Sequence, residues 1–184
     1  LRAYALELIR IANDLRLMSS GPNTGFSEIT LPSVQPGSSI MPGKVNPAIA
    51  EMVDMVGFQV IGHDATVAAA VQAGQLELNV MMPVIAYNVL QPMHLLTTAS
   101  RVFATRCVDG IVAHPQRCDA YARQSLALVT ALAPRLGYLK AAMVAKESLK
   151  TKKPIQQLVV EHRLLSPKEA ARFLDPKRLS QGPA

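Results

Sequence analysis

Eleven consecutive residues, Gly37-Ser-Ser-Ile-Met-Pro-Gly-Lys-Val-Asn-Pro47, gather two hydroxyls, an ammonium, a carboxamide and two glycines. Two glycines ahead of a lysine first raise the question of a phosphate loop. A Walker A motif has four residues between its glycines and a Ser or Thr after the lysine. Here five residues separate Gly37 from Gly43 and Val45 follows Lys44, so a magnesium ion would lose its hydroxyl ligand. An anion site that also removes a proton fits better. Lys44 supplies a point charge and Asn46 a fixed amide donor, and in an extended loop both point the same way, toward a carboxylate. Ser38 and Ser39 are the candidate nucleophiles or bases, and no His or Asp follows them at a spacing that implies an acyl-transfer triad. A serine hydroxyl is a poor base in water. A loop that closes over substrate, excludes water and aims backbone N–H groups and Lys44 at the oxygen makes the alkoxide accessible.

The elements that must position this loop are helical. Leu1, Ala5, Leu8 and Ala12 run at helical spacing from the first residue without a capping side chain, so the start reads as the middle of a helix and the chain as a C-terminal fragment. That helix is expected to stop near Met18, before Ser19-Ser-Gly-Pro22. From Ser19 to Pro47 five prolines and four glycines suppress helix, and Ser27-Glu-Ile-Thr-Leu31 alternates as a brief strand or hairpin arm would. A loop this long inside a folded chain is usually functional.

From Ala48 the helical period returns: Ile49, Val53, Val56, Val60, Val67 and Val71 form a stripe, flanked by Met52 and Ile61, as far as about Ala73. Gly57 and Gly62 within it point to close helix packing. A third helix is expected from Met82 to Asp109, with Gly110 as its stop, and a fourth from His114-Pro115 to about Ala133. Shorter amphipathic units follow at Tyr138–Lys150, Pro154–His162 and Ser166–Leu174. Ser166-Pro-Lys-Glu169 reads as a capping box, and the tail from Asp175 as polar and loosely held. The expected fold is all-α: long helices of a central bundle over residues 1–112, including loop 19–47, then a small C-terminal helical domain over 113–184.

The formal charge of +6 is unevenly distributed: residues 1–137 hold nine Lys/Arg and nine Asp/Glu, residues 138–184 ten and four. The C-terminal lysines lie on short amphipathic segments without interleaved aromatics, which reads as a solvated face and not as a nucleic-acid surface. Leu78 to Leu90 is the most apolar stretch and is too short and too broken to span a membrane. The histidines His63, His94, His114 and His162 and the cysteines Cys107 and Cys118 lack metal-ligand spacing, and two cysteines are ordinary intracellular usage, so no metal, no cofactor and a cytoplasmic setting are expected. Met81, Met82 and Met93 read as core filler, His63 as a packed or partner-facing histidine, and Glu77 and Asn79 as part of a hydrogen-bonded turn. The long helices are apolar nearly all round, as in the middle of a large bundle.

The residue 37–47 stretch resembles the signature of the aspartase/fumarase superfamily, whose members eliminate across a Cα–Cβ bond to release fumarate. The similarity extends from Asn13-Asp-Leu-Arg-Leu-Met-Ser-Ser-Gly-Pro22 through Gly74-Gln-Leu-Glu-Leu-Asn79 to Gly137-Tyr138 and Leu164-Leu165. The resemblance implies a homotetramer with a twenty-helix core and active sites shared among three subunits. It also implies that Ser38 is the general base, that Ser39, Lys44 and Asn46 bind the carboxylates of a small dicarboxylate, and that Glu51 pairs with a catalytic histidine lying upstream of Leu1. Read without the family, Glu51 is a carboxylate helped by a helix N-terminus. Pro47-Ala-Ile-Ala-Glu51 and Ala73-Gly-Gln-Leu-Glu-Leu-Asn-Val-Met81 look more like aspartate ammonia-lyases than fumarases, so deamination of L-aspartate is the expected reaction and fumarate hydration the alternative. A non-catalytic helical-bundle module that uses the loop for assembly is the alternative of another class.

Overall fold

The computed structural model describes residues 1–37, 40–41 and 43–181. The all-α expectation holds: helices carry the fold and one two-stranded ribbon is its sheet among the described residues. The chain divides into two compact units, Leu1–His114 and Pro115–Ala184.

In the first unit α1 (Arg2–Met18), α2 (Ala48–Gln72) and α3 (Met82–Arg106) pack side by side. Ala5, Leu8 and Ala12 of α1 meet Val53 and Val60 of α2 and Leu96 and Phe103 of α3 in one core. Each large apolar side chain buried there contributes about 1.5–3 kcal/mol. The expected stripe on α2 holds in its first half and drifts in its second, where His63 and Ala70 are buried and Val71 is exposed. Gly57 is required by packing, since a Cβ there would lie 2.5 Å from Ile9 Cγ1, whereas nothing stands within 4 Å of a Cβ on Gly62. The close-packing expectation therefore fails for Gly62 within this chain. Met81, Met82 and Met93 are likewise exposed instead of filling the core, because they lie on the side of α3 and its approach that faces away from α1 and α2.

The strand expected at 27–31 forms as β1 (Ile29–Thr30), but it is no hairpin arm. Its antiparallel partner is β2 (Val112–Ala113), eighty positions on, with Ile29 opposite Ala113 and Thr30 opposite Val112. α3 ends at Arg106, short of Asp109, and a 3-10 turn over Val108–Gly110 leads into β2. Gly110 serves a close approach and not a helix stop: a Cβ on it would run into the Pro32 ring. Between α2 and α3, Gln75 and Leu78 exchange both backbone hydrogen bonds, and Asn79 Nδ2 donates to the Ala70 and Val71 carbonyls while its Oδ1 accepts from Met81 N–H. Asn79 thus ties off the end of α2 and opens α3, the turn role expected for it.

The second unit has a separate core that buries Leu132, Val144, Ile155, Leu158 and Val159. The single helix expected to Ala133 is broken. α4 (Pro115–Gln124) stops before Ser125, which is extended and accepts the Ala127 N–H on its hydroxyl, opening a 3-10 segment over Leu126–Ala131. α5 (Ala133–Leu136), α6 (Tyr138–Thr151), α7 (Ile155–Glu161) and α8 (Pro167–Phe173) follow. The capping box forms as read, Ser166 accepting the Glu169 N–H and the Glu169 carboxylate accepting the Ser166 N–H. Within the tail, α9 (Pro176–Ser180) forms with Asp175 as its cap, its side chain accepting the Lys177 N–H.

Candidate functional site

The long loop is built from its neck inward. Gly37 lies against the backbone of Lys44 so closely that a Cβ on Gly37 would overlap the Lys44 carbonyl. Asn46 Nδ2 donates to the Gly37 carbonyl at 2.7 Å and closes the same neck. Lys44 N–H donates to the Met41 carbonyl at 3.2 Å, and Gly43, at φ +82°, takes the left-handed conformation that the turn requires. The Asn46 carbonyl accepts the Ala48 N–H and the Pro47 carbonyl the Glu51 N–H, so the loop runs straight into the first turn of α2.

The upstream leg is stitched at several points. Ser27 N–H donates to the Ser20 carbonyl and Glu28 N–H to the Met18 carbonyl. His114 then locks the leg to the strand beyond α3: its N–H donates to the Glu28 carbonyl, Nδ1 lies 2.8 Å from the Ser27 carbonyl and Nε2 lies 2.9 Å from Thr30 Oγ1. A carbonyl only accepts, so Nδ1 carries the proton, and in the neutral ring Nε2 accepts from the Thr30 hydroxyl.

These legs enclose an open cavity of about 560 Å³, lined among others by Ser19, Thr30, Lys44, Asn46 and His114. No acidic residue lines it among the described residues, and Lys44 gives it positive charge. The amide of Asn46 has two N–H groups, one used on Gly37, so it holds the loop and keeps a donor for a ligand. Of the residues picked out from the sequence, Lys44 and Asn46 come together on this cavity. Glu51 does not line it; it sits half-buried on the first turn of α2. Ser38 and Ser39 lie outside the described residues. The part played by His114 was missed, because nothing in its sequence neighbourhood announces a partner more than eighty positions away.

His63 is packed, as expected. It is buried, with Nδ1 on Asn88 Oδ1 at 2.5 Å, and Asn88 in turn donates to the Val84 carbonyl. Among the described residues no group of three or more His, Cys, Asp or Glu side chains is arranged to hold a metal ion, and no helix is long and apolar enough to cross a membrane.

A family profile described as Lyase matches residues 1–62, and one described as Fumarase C C-terminus matches residues 128–181. The chain is 44% identical to an aspartate ammonia-lyase of Bacillus subtilis over 98% of its own length and 38% of that protein's. It is 53% identical to a class II fumarate hydratase of Corynebacterium efficiens over 88% of its length and 34% of the relative's. Among solved structures, a Brucella melitensis protein described as a fumarate lyase:delta crystallin superposes with a TM-score of 0.89 at 50% identity, covering 97% of this chain and 38% of that one. A class II fumarase of Schistosoma mansoni gives 0.90 at 42% identity, over 95% and 36%. A mainly helical chain that carries this loop at the start of a long helix has the fold of these relatives. It belongs to the aspartase/fumarase superfamily, and it spans about two-fifths of the length of the aspartate ammonia-lyases that it matches.

Proposed function

We propose that this chain carries the proton-abstracting loop of an enzyme that eliminates ammonia from L-aspartate to give fumarate. The observation that supports the reading is the cavity at the loop neck, where Lys44 and Asn46 stand together and no acidic residue lines the wall among the described residues, a setting suited to a dicarboxylate. Lys44 and Asn46, with Ser39, hold the substrate carboxylates and spread the negative charge that builds on the carboxylate next to Cβ as its proton leaves. Ser38 takes that proton. The electron pair then forms the double bond as the Cα–N bond breaks, and the ammonium group leaves as neutral ammonia without a strong acid. Glu51 belongs to a contact with a catalytic histidine supplied from outside these residues. Assembly as a homotetramer with shared sites, and a cytoplasmic location, are parts of the same proposal.

The residues flanking the signature, Pro47 to Glu51 and Ala73 to Met81, are the reason for preferring aspartate. A second reading, hydration of fumarate to malate, is favoured by the 53% identity to a fumarate hydratase. In its reverse direction, the dehydration of malate, it uses the same base and carboxylate contacts but needs an acid for the departing hydroxide. The test is to express the chain with whatever sequence precedes Leu1 in its gene and to follow fumarate absorbance with L-aspartate and with L-malate. Turnover of aspartate, abolished by Ser38→Ala with the assembly intact, is expected. Turnover of malate alone overturns the aspartate reading, and an active Ser38→Ala enzyme removes Ser38 as base.

A further inference from the structure

Arg16 stands in the last turn of α1, three residues before the loop opens at Ser19. Asp54 stands on α2, one turn beyond Glu51. Arg16 Nη1 donates to Asp54 Oδ2 at 2.7 Å and to Asn13 Oδ1 at 3.0 Å. Asp54 is only 3% exposed, and its Oδ1 is buried without a hydrogen-bond partner among the described residues.

A carboxylate with one orphaned oxygen is a poor way to hold two helices together. Desolvation consumes much of the Coulombic gain, and apolar replacements of similar volume commonly hold as well or better. Cohesion at this contact is already supplied by Val53 and Val60 against Ala5, Leu8 and Ala12. What the ion pair adds is direction: a charge-assisted hydrogen bond fixes the span and register of its two helices, which an apolar contact leaves free to slide.

Both legs of the loop are indexed to that contact. On the α1 side, Ser19 Oγ donates to the Arg16 carbonyl, the Ser20 hydroxyl donates to the Leu17 carbonyl and accepts the Phe26 N–H, and Glu28 N–H reaches the Met18 carbonyl. On the α2 side, hydrogen bonds run from Glu51 to Pro47, from Ala48 to Asn46 and from Asn46 to Gly37. A change in the span between α1 and α2 therefore moves the neck on which Lys44 and Asn46 stand.

We propose that Arg16 and Asp54 are positioning residues for the 37–47 loop, an inference that rests on reading this loop as the catalytic one. Their ion pair, in which Asp54 is buried and Arg16 half-buried, sets the separation of the helices that begin and end the loop, and so sets where Lys44 and Asn46 meet the substrate.

The test uses the double variant Arg16→Met/Asp54→Leu in the full-length gene product. The midpoint of thermal unfolding is expected to stay or rise while kcat/KM for L-aspartate falls about 10²-fold, the scale of an ångström-level misplacement. Amide hydrogen exchange at Lys44, Ala48 and Glu51, whose N–H groups donate to the Met41, Asn46 and Pro47 carbonyls, quickens about tenfold or more, while the amides of α2 from Val53 to Val60 keep their protection. Asp54→Asn, which retains an oxygen acceptor for Arg16, recovers most of the activity and of the protection. Unchanged exchange at Lys44, Ala48 and Glu51 in the double variant overturns the proposal. So does a lowered unfolding midpoint with faster exchange throughout α1 and α2, which would make the pair merely structural. A wild-type chain that turns over neither aspartate nor malate defeats the functional reading alone, and the exchange experiment then still decides the role of the pair.

Discussion

Gly57 of α2 and Ile9 of α1 stand so close that a Cβ on the glycine would lie 2.5 Å from Ile9 Cγ1 and 2.6 Å from its Cδ1. The α1–α2 contact, which carries the two ends of the long loop, is thus close enough at Gly57 that an added side chain must displace Ile9. Gly57→Ala would gain up to about 1 kcal/mol of helix propensity and lose about 1–3 kcal/mol to overpacking. The expected net is a destabilisation of about 1 kcal/mol, read as a lower urea midpoint at unchanged slope. Gly62→Ala, with no atom of this chain within 4 Å of the new methyl, is expected to be neutral or to stabilise by up to about 1 kcal/mol. Equal losses at both positions would refute the packing account.

At the loop neck the obstacle is backbone and not a side chain that can turn aside. A methyl on Gly37 would overlap the Lys44 carbonyl and carbon and crowd the Val45 nitrogen. Gly37→Ala must therefore open the neck and part Asn46 from the Gly37 carbonyl. The expected result is a loss of about 10²-fold or more in kcat/KM, with global stability little changed because no neck residue belongs to the α1–α2–α3 core. A Gly37→Ala enzyme with ordinary kinetics would show that the neck geometry is not what positions Lys44.

His114 tests the other leg. Truncation to Ala removes the contacts of its ring with the Ser27 carbonyl and the Thr30 hydroxyl. For half-buried groups the loss is expected at about 1–2 kcal/mol. Because Thr30 and His114 both line the cavity, KM for the dicarboxylate is expected to rise, as measured by steady-state kinetics on His114→Ala. Unaltered stability and KM together would mean that β1 and β2 hold the leg without the imidazole.

What was legible in the sequence is what short-range chemistry determines. Ser166 and Glu169 cap α8 because the reciprocal bonds span three residues, and α2 begins at Ala48 because Pro47 ends the loop beside it. That Lys44 and Asn46 fall together was readable because both lie in one loop. Contacts across the fold were not readable. Arg16 meets Asp54 across 38 positions, Thr30 meets His114 across 84, and neither pair has a local pattern to betray it. Gly37 was legible as a signature residue, but the overlap that requires it appears only once Lys44 is brought against it. Helix propensity misled at Ser125, where a side-chain acceptor for the Ala127 N–H competes with continuing α4. The exposed methionines were misread for a related reason: an apolar residue in an apolar helix carries no mark of whether its own chain buries it.

Acid should act on the second unit through two glutamates. The Ser166 backbone N–H, then its hydroxyl, and with them Arg135 hold the Glu169 carboxyl below the ordinary glutamate range. Hydrogen bonds from Lys153 and then Gln157 do the same for Glu161. A carboxyl whose pKa is lower folded than unfolded adds stability that is fully present above the unfolded value, about 4.3 for glutamate, and lost as pH falls through the folded value. The stability of this unit should therefore be flat through neutrality and decline below about pH 4.3. Glu169→Gln should lower stability at neutral pH by weakening the cap of α8 and its contact with Arg135, and should flatten the acid limb because one of the shifted groups no longer titrates. Urea denaturation of the wild type and the variant between about pH 3 and 7, followed on the second unit by hydrogen exchange at α8, measures both. A variant whose acid limb is as steep as the wild type's would show that Glu169 titrates alike folded and unfolded, and would remove the capping box as a source of acid sensitivity.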